Sequence, residues 1–176
     1  PSLKNELASE GFEFQSDTDS EVFLALVTSN LKKGLEFLPA VAESFKRTDG
    51  NSAFVVLNAE TSEILAIKRG APLVAGLHES MSDASVSSDP YALVGSSDTI
   101  YFPGDEVLVL LSKRHNDIVS FYDLEGNVSK NYKSKKQDMS LEATDKGDFE
   151  HFMLKEIYEQ PGLIRDLVQF YLAGDG

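Results

Sequence analysis

The chain has 176 residues, of which 41% are hydrophobic, and this length and composition predict one globular domain with room for an appendage. Sixteen basic against 29 acidic residues give a net charge of −13, which argues against nucleic acid and anionic membranes as partners; no apolar run could span a bilayer. The sequence contains no cysteine, which excludes thiol catalysis and disulfides by these residues, and it begins with no signal-peptide pattern, so we expect a cytoplasmic protein.

The first part of the sequence predicts helices. Residues 3–10 form a short helical segment, and Gly11 ends it because glycine readily adopts the left-handed conformation of a helix C-cap. Thr18 and Glu21 have the spacing of a capping box, in which each side chain bonds to the backbone N–H of the other residue. A second helix should therefore begin there, and Gly34 should close it.

A third helix is predicted after this glycine. Apolar residues recur at helical spacing, Pro39 suits a position in the first turn, and the pattern ends near Arg47. We expect the second and third helices to lie side by side in one layer.

From residue 51 onward the apolar period is that of strands. Five runs have the length and composition of strands, and the first two form a hairpin: 53–57, 64–67, 73–77, 107–111 and 118–122. Because helices come first and strands follow, the sequence predicts a segregated α+β architecture with a mostly antiparallel sheet.

The last quarter of the sequence predicts a connector and a helical tail. Residues 129–138 hold four lysines, the only basic cluster in this acidic chain, and we interpret them as a solvated connector. Residues 149–159 should be helical, Pro161 should interrupt the helix, and 163–172 carry a second apolar stripe. Such a stripe needs a surface to cover it.

Four motifs follow one another along the chain: SDTDSEV at 16–22, GAPLV at 70–74, SSD at 87–89 and KEIYEQP at 155–161. Their order and spacing resemble those of the glutamine–fructose-6-phosphate aminotransferases, whose glutaminase domain is joined to an isomerase by a segment similar to the last motif. The family's cysteine start and its isomerase domains have no counterpart in these residues. The resemblance therefore implies the C-terminal part of the glutaminase domain in residues 1–140 and a helical linker toward an absent isomerase domain in 141–176.

The resemblance also implies a fold and a function. The expected fold is the later portion of an αββα sandwich of the N-terminal-nucleophile hydrolase type, and the expected activity is hydrolysis of glutamine to supply ammonia for glucosamine 6-phosphate synthesis. Because the family's nucleophile is an N-terminal cysteine, the 176 residues alone should be inactive, which leaves their own status as an enzyme open. We expect a homodimer or association with the missing domain parts.

One residue is expected to contact substrate. Asp19 matches the aspartate with which the family binds the α-ammonium group of glutamine. The alternative is that Asp19 is a first-turn carboxylate favoured by the helix dipole, and both roles are compatible. No catalytic residue is assigned.

The other candidate sites favour no ligand. Three histidines lie far apart without the spacing of metal ligands: His78, His115 and His151. The glycines form no phosphate-binding pattern, and Asp145, Asp148 and Glu150 are typical of a solvated acidic face, so we expect no metal and no cofactor. The alternative function is a non-catalytic paralogue, or interaction module, that binds a partner through its helical tail.

Overall fold

The computed structural model describes residues 2–136 and 149–172, and the chain divides into two compact units. The first unit lies within Pro1–Asp138 and the second within Met139–Gly176. The predicted domain boundary between residues 140 and 141 lies outside the described residues and stays a prediction, as does any role for Asp145 and Asp148, which also fall there.

The first unit opens with the three predicted helices, which the structure confirms: α1 Ser2–Ser9, α2 Asp19–Lys32 and α3 Phe37–Lys46. Gly11, with φ +92°, follows the end of α1 in the left-handed conformation, as predicted. Next to it the Phe12 N–H donates to the Leu7 carbonyl at 3.1 Å, which closes the last turn of the helix.

Eight strands follow in chain order: β1 Ser52–Asn58, β2 Glu63–Arg69, β3 Val74–His78, β4 Asp83–Ser87, β5 Thr99–Pro103, β6 Leu108–Leu111, β7 Val119–Tyr122 and β8 Tyr132–Lys136. They form two four-stranded sheets, with orders β1-β2-β6-β7 and β4-β3-β5-β8. Every neighbouring pair within the sheets is antiparallel, as the sequence analysis predicted.

The first unit has the layer order helices, sheet, sheet. Helices α2 and α3 cover one face of the first sheet, where Phe23 and Phe45 pack with Leu65 and Leu108. The other face of that sheet packs on the second sheet through apolar side chains. The first sheet contributes Ala66, Val109, Leu111 and Phe121; the second contributes Ala75, Val86 and Tyr101, together with Leu73 just before β3. Burial on both faces explains the continuous apolar run of β6.

The interpretation of residues 129–138 as a solvated connector is wrong for β8. This strand pairs with β5 along its whole length, from Thr99 opposite Lys136 to Pro103 opposite Tyr132. The ring of Tyr132 stacks on Phe121 with 4.0 Å between centroids, which anchors the strand, while its lysines point to solvent at the edge of the sheet. The sequence analysis also missed β4 and β5. In β4, DASVS, small and polar residues leave no clear apolar period, and the apolar run of β5, TIYFP, is short and ends in a proline.

The second unit contains one long helix, α4 Phe152–Leu172. The expected interruption at Pro161 is wrong, since the helix continues through this residue. Proline removes one backbone N–H donor, but strong helix formers such as Lys155 and Leu163 stand on both sides and keep the segment helical. Among the side chains of this helix that the structure describes, apolar ones such as Ile157 and Ile164 are exposed.

Within residues 2–136 and 149–172, no helix is long and apolar enough to cross a membrane.

Candidate functional site

The predicted substrate-contacting residue, Asp19, is the first residue of α2. Thr18 precedes it in extended conformation, with φ −81° and ψ 141°, so the helix begins where the sequence predicted. The predicted capping box is wrong, however: Thr18 makes no side-chain cap hydrogen bond, and its hydroxyl instead lies 2.9 Å from the hydroxyl of Ser16. The first turn of α2 is therefore not capped by a threonine oxygen.

Glu21 reaches past Thr18 to the segment before the helix. Its carboxylate accepts hydrogen bonds from the backbone N–H groups of Gln15 and Ser16, each at 2.8 Å, and from the Ser16 hydroxyl at 2.6 Å. These donors favour the ionised form, so the backbone N–H of Gln15 and the bonds from Ser16 lower the pKa of Glu21. This carboxylate fixes the loop that leads to Asp19.

Lys4 fixes the same loop from α1. Its ammonium donates to the Ser16 carbonyl at 2.9 Å and to the Asp17 carboxylate at 2.8 Å. The hydrogen bond from Lys4 lowers the pKa of Asp17. Asp17 therefore stays ionised and paired with Lys4, and this ion pair ties the segment just before Asp19 to α1.

A cavity of about 610 Å³ opens beside Asp19. One side is formed by α1 and the start of α2, and the other by the turn after α3 and the start of β1. Its lining residues are Leu3, Lys4, Asp17, Asp19, Val22, Phe23, Leu26, Arg47, Thr48, Asp49, Asn51, Ser52, Ala53 and Phe54. An apolar floor with polar groups at the rim is typical of a small-molecule site.

The cations of this cavity are already paired, whereas Asp19 is not. The Arg47 guanidinium donates to both carboxylate oxygens of Glu6, at 3.0 and 2.6 Å, and Lys4 is bound to Asp17. Asp19 makes no hydrogen bond or ion pair with any part of the chain that the structure describes. A carboxylate at the mouth of a cavity without a cation of its own can receive an ammonium group.

The opposite wall of the cavity is held by the end of β2. The guanidinium of Arg69 donates to the Thr48 carbonyl at 2.6 Å and to Glu106 at 2.9 Å, and lies 4.6 Å from the centre of the Phe45 ring. At Gly70 the backbone φ is +63°, a left-handed conformation that favours glycine, and a Cβ there would force the side-chain oxygen of Asn51 to shift. Arg69 and Gly70 do not line the cavity themselves, but they hold Thr48 and Asn51, which do.

The three histidines do not meet in the residues described. The Nδ1 atom of His78 lies 3.3 Å from a carboxylate oxygen of Asp98, and the Nε2 atom of His115 lies 3.4 Å from one of Glu63. His151 is in the second unit, beside Glu150. No group of three histidine or carboxylate side chains within the described ranges could hold a metal ion.

No protein-family model matches the chain, but comparison with individual known proteins shows its family. The chain is 37% identical over 173 residues to the glutamine–fructose-6-phosphate aminotransferase (isomerizing) of Aquifex aeolicus, covering 97% of the chain and 28% of that enzyme. It is 34% identical to the Chlorobaculum tepidum enzyme, and this match covers 95% of the chain and 27% of the enzyme. It is 36% identical to the Thermus thermophilus enzyme, and this match covers 93% of the chain and 26% of the enzyme. The chain is related to the glutamine–fructose-6-phosphate aminotransferases. It spans little more than a quarter of the length of these aminotransferases.

The solved structures agree on the fold. The glutamine phosphoribosylpyrophosphate amidotransferase of Bacillus subtilis, in its complex with ADP and GMP, matches with a TM-score of 0.58 and 22% identity. The match covers 72% of this chain and 27% of that one. At this identity the likeness shows the fold alone. It confirms the fold expected for this chain, a sandwich of the N-terminal-nucleophile hydrolase type.

Sequence reasoning found Asp19 but missed the rest of the cavity. The wall residues Thr48, Asp49 and Asn51 stand in a polar turn after α3, and no motif marks them. The glycine of the GAPLV motif was the one signal in the sequence that could have pointed to this wall, because Gly70, at the end of β2, packs against Asn51 of that turn.

Proposed function

We propose that this chain supplies part of the glutamine site of an enzyme that transfers the amide nitrogen of glutamine to fructose 6-phosphate and so makes glucosamine 6-phosphate. In this proposal Asp19 binds the α-ammonium group of glutamine. The cytoplasm stays the expected location of this activity.

One observation carries the proposal: Asp19 is a carboxylate beside a cavity without a partner among the described residues. The resemblance of its motif, SDTDSEV at 16–22, matches it to the family's aspartate. An ammonium group that donates to a carboxylate forms a charge-assisted hydrogen bond, which is stronger than a neutral one. Glu21 and Lys4 hold the loop before Asp19 in place, so the carboxylate is positioned before the ligand arrives.

The organisation of the parent enzyme is also proposed. Residues 1–140 would be the C-terminal part of the glutaminase domain, and 141–176 a helical linker toward an isomerase domain. The resemblance implies a cysteine nucleophile, and the 176 residues contain no cysteine. Ammonia production would therefore need a cysteine from outside these residues, and the contribution of this chain would be recognition of the substrate.

The proposal is tested by titrating the isotopically labelled chain with glutamine and following backbone amide signals by NMR. We expect the amides around Asp19 to shift. Removing the carboxylate charge with Asp19→Asn should weaken binding on the order of tenfold or more, because a hydrogen bond between charged groups is lost. Asp83→Asn is the matched control, since this exposed aspartate lies outside the cavity and pairs with Lys113.

A second ligand sharpens the test. Glutaramic acid has the side-chain amide and carboxylate of glutamine but no α-amino group, so it cannot make the proposed ion pair. Equal binding of both ligands, equal affinity of the Asp19→Asn variant, or no binding of glutamine would each contradict the role given to Asp19.

The interaction-module alternative is not favoured. The relatives named above are all aminotransferases, and the similarity covers more than nine-tenths of this chain, including α4.

A further inference from the structure

Arg69, the last residue of β2, is held by three different parts of the first unit. Its Nη1 atom donates to the carbonyl of Thr48 at 2.6 Å, and its Nε atom donates to the carboxylate of Glu106 at 2.9 Å. The guanidinium also lies 4.6 Å from the ring centre of Phe45, a fully buried residue of α3. A planar group that is bound through two nitrogens and one face is strongly confined.

Glu106 meets Arg69 from an unfavourable backbone conformation. Its φ is +62°, in the left-handed region that residues with a side chain rarely adopt, and its N–H donates to the carbonyl of Lys68 at 2.8 Å. The preceding residue, Asp105, accepts hydrogen bonds from Lys68 and from the N–H of Gly70. Strained residues of this kind persist where surrounding contacts require them, and they are concentrated at functional sites. The turn between β5 and β6 thus holds the end of β2.

The carbonyl that Arg69 binds belongs to the wall of the cavity beside Asp19. Thr48, Asp49 and Asn51 line this wall, whereas Arg69 is not among the lining residues. The turn between α3 and β1 that carries them belongs to no helix or strand, so no ladder of backbone hydrogen bonds fixes its position. The hydrogen bond from Arg69 therefore holds this part of the wall in place.

We propose that Arg69, oriented by Glu106, is a positioning residue for the glutamine site: it fixes the wall across the cavity from Asp19 without touching the ligand. This inference rests on the proposed function of the cavity. A wall that is fixed in advance costs no ordering when the ligand binds. Without the guanidinium, the turn must be ordered as glutamine binds, and this cost lowers the affinity.

A purely structural role for Arg69 makes a different prediction, and Lys68 separates the two. Lys68 precedes Arg69 in β2, is also partly buried, and forms an ion pair with Asp105 of the same turn. Neither Lys68 nor Asp105 lines the cavity. Lys68→Gln therefore removes a similar ion pair at the same end of β2 without releasing the wall, which makes it the matched control.

Calorimetric titration of the chain with glutamine tests the proposal at a temperature where each variant is folded. Arg69→Gln should raise the Kd for glutamine on the order of tenfold, because the turn must then be ordered on binding. Lys68→Gln should leave the Kd unchanged. Glu106→Gln should weaken binding less than Arg69→Gln, since the bond to Thr48 remains. Because Glu106 acts only through Arg69, the double variant should bind no more weakly than Arg69→Gln alone.

Two further measurements separate positioning from stability. Arg69→Lys keeps the charge beside Glu106, but it bonds through a single nitrogen and has no planar face for Phe45. This variant should recover most of the stability towards urea and little of the affinity. In the ligand-free chain, Arg69→Gln should speed hydrogen exchange of the backbone amides of residues 49–51, whereas Lys68→Gln should not.

The possible results are distinct. Unchanged glutamine binding by Arg69→Gln, or an equal loss with Lys68→Gln, overturns the inference and leaves the role of Asp19 standing. Affinity that follows stability through all variants, Arg69→Lys included, assigns Arg69 a structural role alone and overturns it too. If Arg69→Gln does not fold, unchanged binding by Glu106→Gln, whose side chain is 45% exposed, has the same meaning. If the wild-type chain binds no glutamine, the proposed function fails and the inference fails with it.

Discussion

Ser16 and Glu21 are joined by two hydrogen bonds, from the backbone N–H of Ser16 at 2.8 Å and from its hydroxyl at 2.6 Å. A third bond comes from the N–H of Gln15. This one carboxylate ties the loop before α2 to the first turn of the helix, where Asp19 stands. The positions of the loop and of Asp19 therefore depend on the ionisation of Glu21.

Acid should weaken this arrangement. The hydrogen bonds lower the folded-state pKa of Glu21 below its unfolded value, so its contribution is complete above the unfolded pKa and is lost as the pH falls through the folded pKa. Glu21→Gln should lower the free energy of unfolding at neutral pH and flatten its decline below about pH 4.5. Urea unfolding at a series of pH values measures both. Glu13→Gln, at an exposed position of the same loop, should change neither, and an equal response of the two variants would contradict this role.

Truncating Phe23 should destabilise the first unit strongly. Its ring is 3% exposed and stacks on Phe54 with 3.9 Å between centroids, joining α2 to β1. Phe23→Ala should cost about 3–5 kcal/mol, because the lost ring leaves a cavity in the core. Leu24→Ala, at the neighbouring position that is 58% exposed, should cost no more than about 0.5 kcal/mol. Similar values for the two variants in urea unfolding would disprove the assignment of this core.

Adding a methyl group at Gly76 should overpack the second sheet. A Cβ there would lie 2.1 Å from the hydroxyl oxygen and 2.9 Å from the Cβ of Ser97, so a side chain must shift. Gly76→Ala should lower the free energy of unfolding by about 1–3 kcal/mol. Ser97→Gly in the same chain removes both contacting atoms, and it should restore part of the loss. Thermal unfolding of the two single variants and the double variant checks this, and strict additivity would count against the contact.

The chain of 176 residues should release no ammonia from glutamine. The resemblance to the aminotransferases implies a cysteine nucleophile, and these residues contain no cysteine. A coupled ammonia assay on the purified chain measures this, with the full-length Aquifex aeolicus relative as the positive control. Ammonia release above the uncatalysed rate would mean that another group in this chain acts as the nucleophile.

Local sequence signals determined most of the elements. The helices α1, α2 and α3 and the hairpin of β1 and β2 were predictable, because their apolar periods and their ends at Gly11 and Gly34 are local properties. The lysine-rich β8 was not predictable, since its strand conformation depends on pairing with β5 and on the stacking of Tyr132 on Phe121. Pro161 was misleading because its neighbours keep α4 helical.

The sequence by itself determined the family resemblance and the candidate Asp19, since both rest on motifs that are continuous in the chain. Only the tertiary structure decided what surrounds Asp19. The carboxylate lies beside a cavity because α1, the turn before β1 and the end of β2 come together there, with Arg69 holding Thr48 from 21 residues away. The place of β1 at the end of the order β1-β2-β6-β7 was likewise decided by the tertiary structure, because strands pair across long sequence separations that no local pattern encodes.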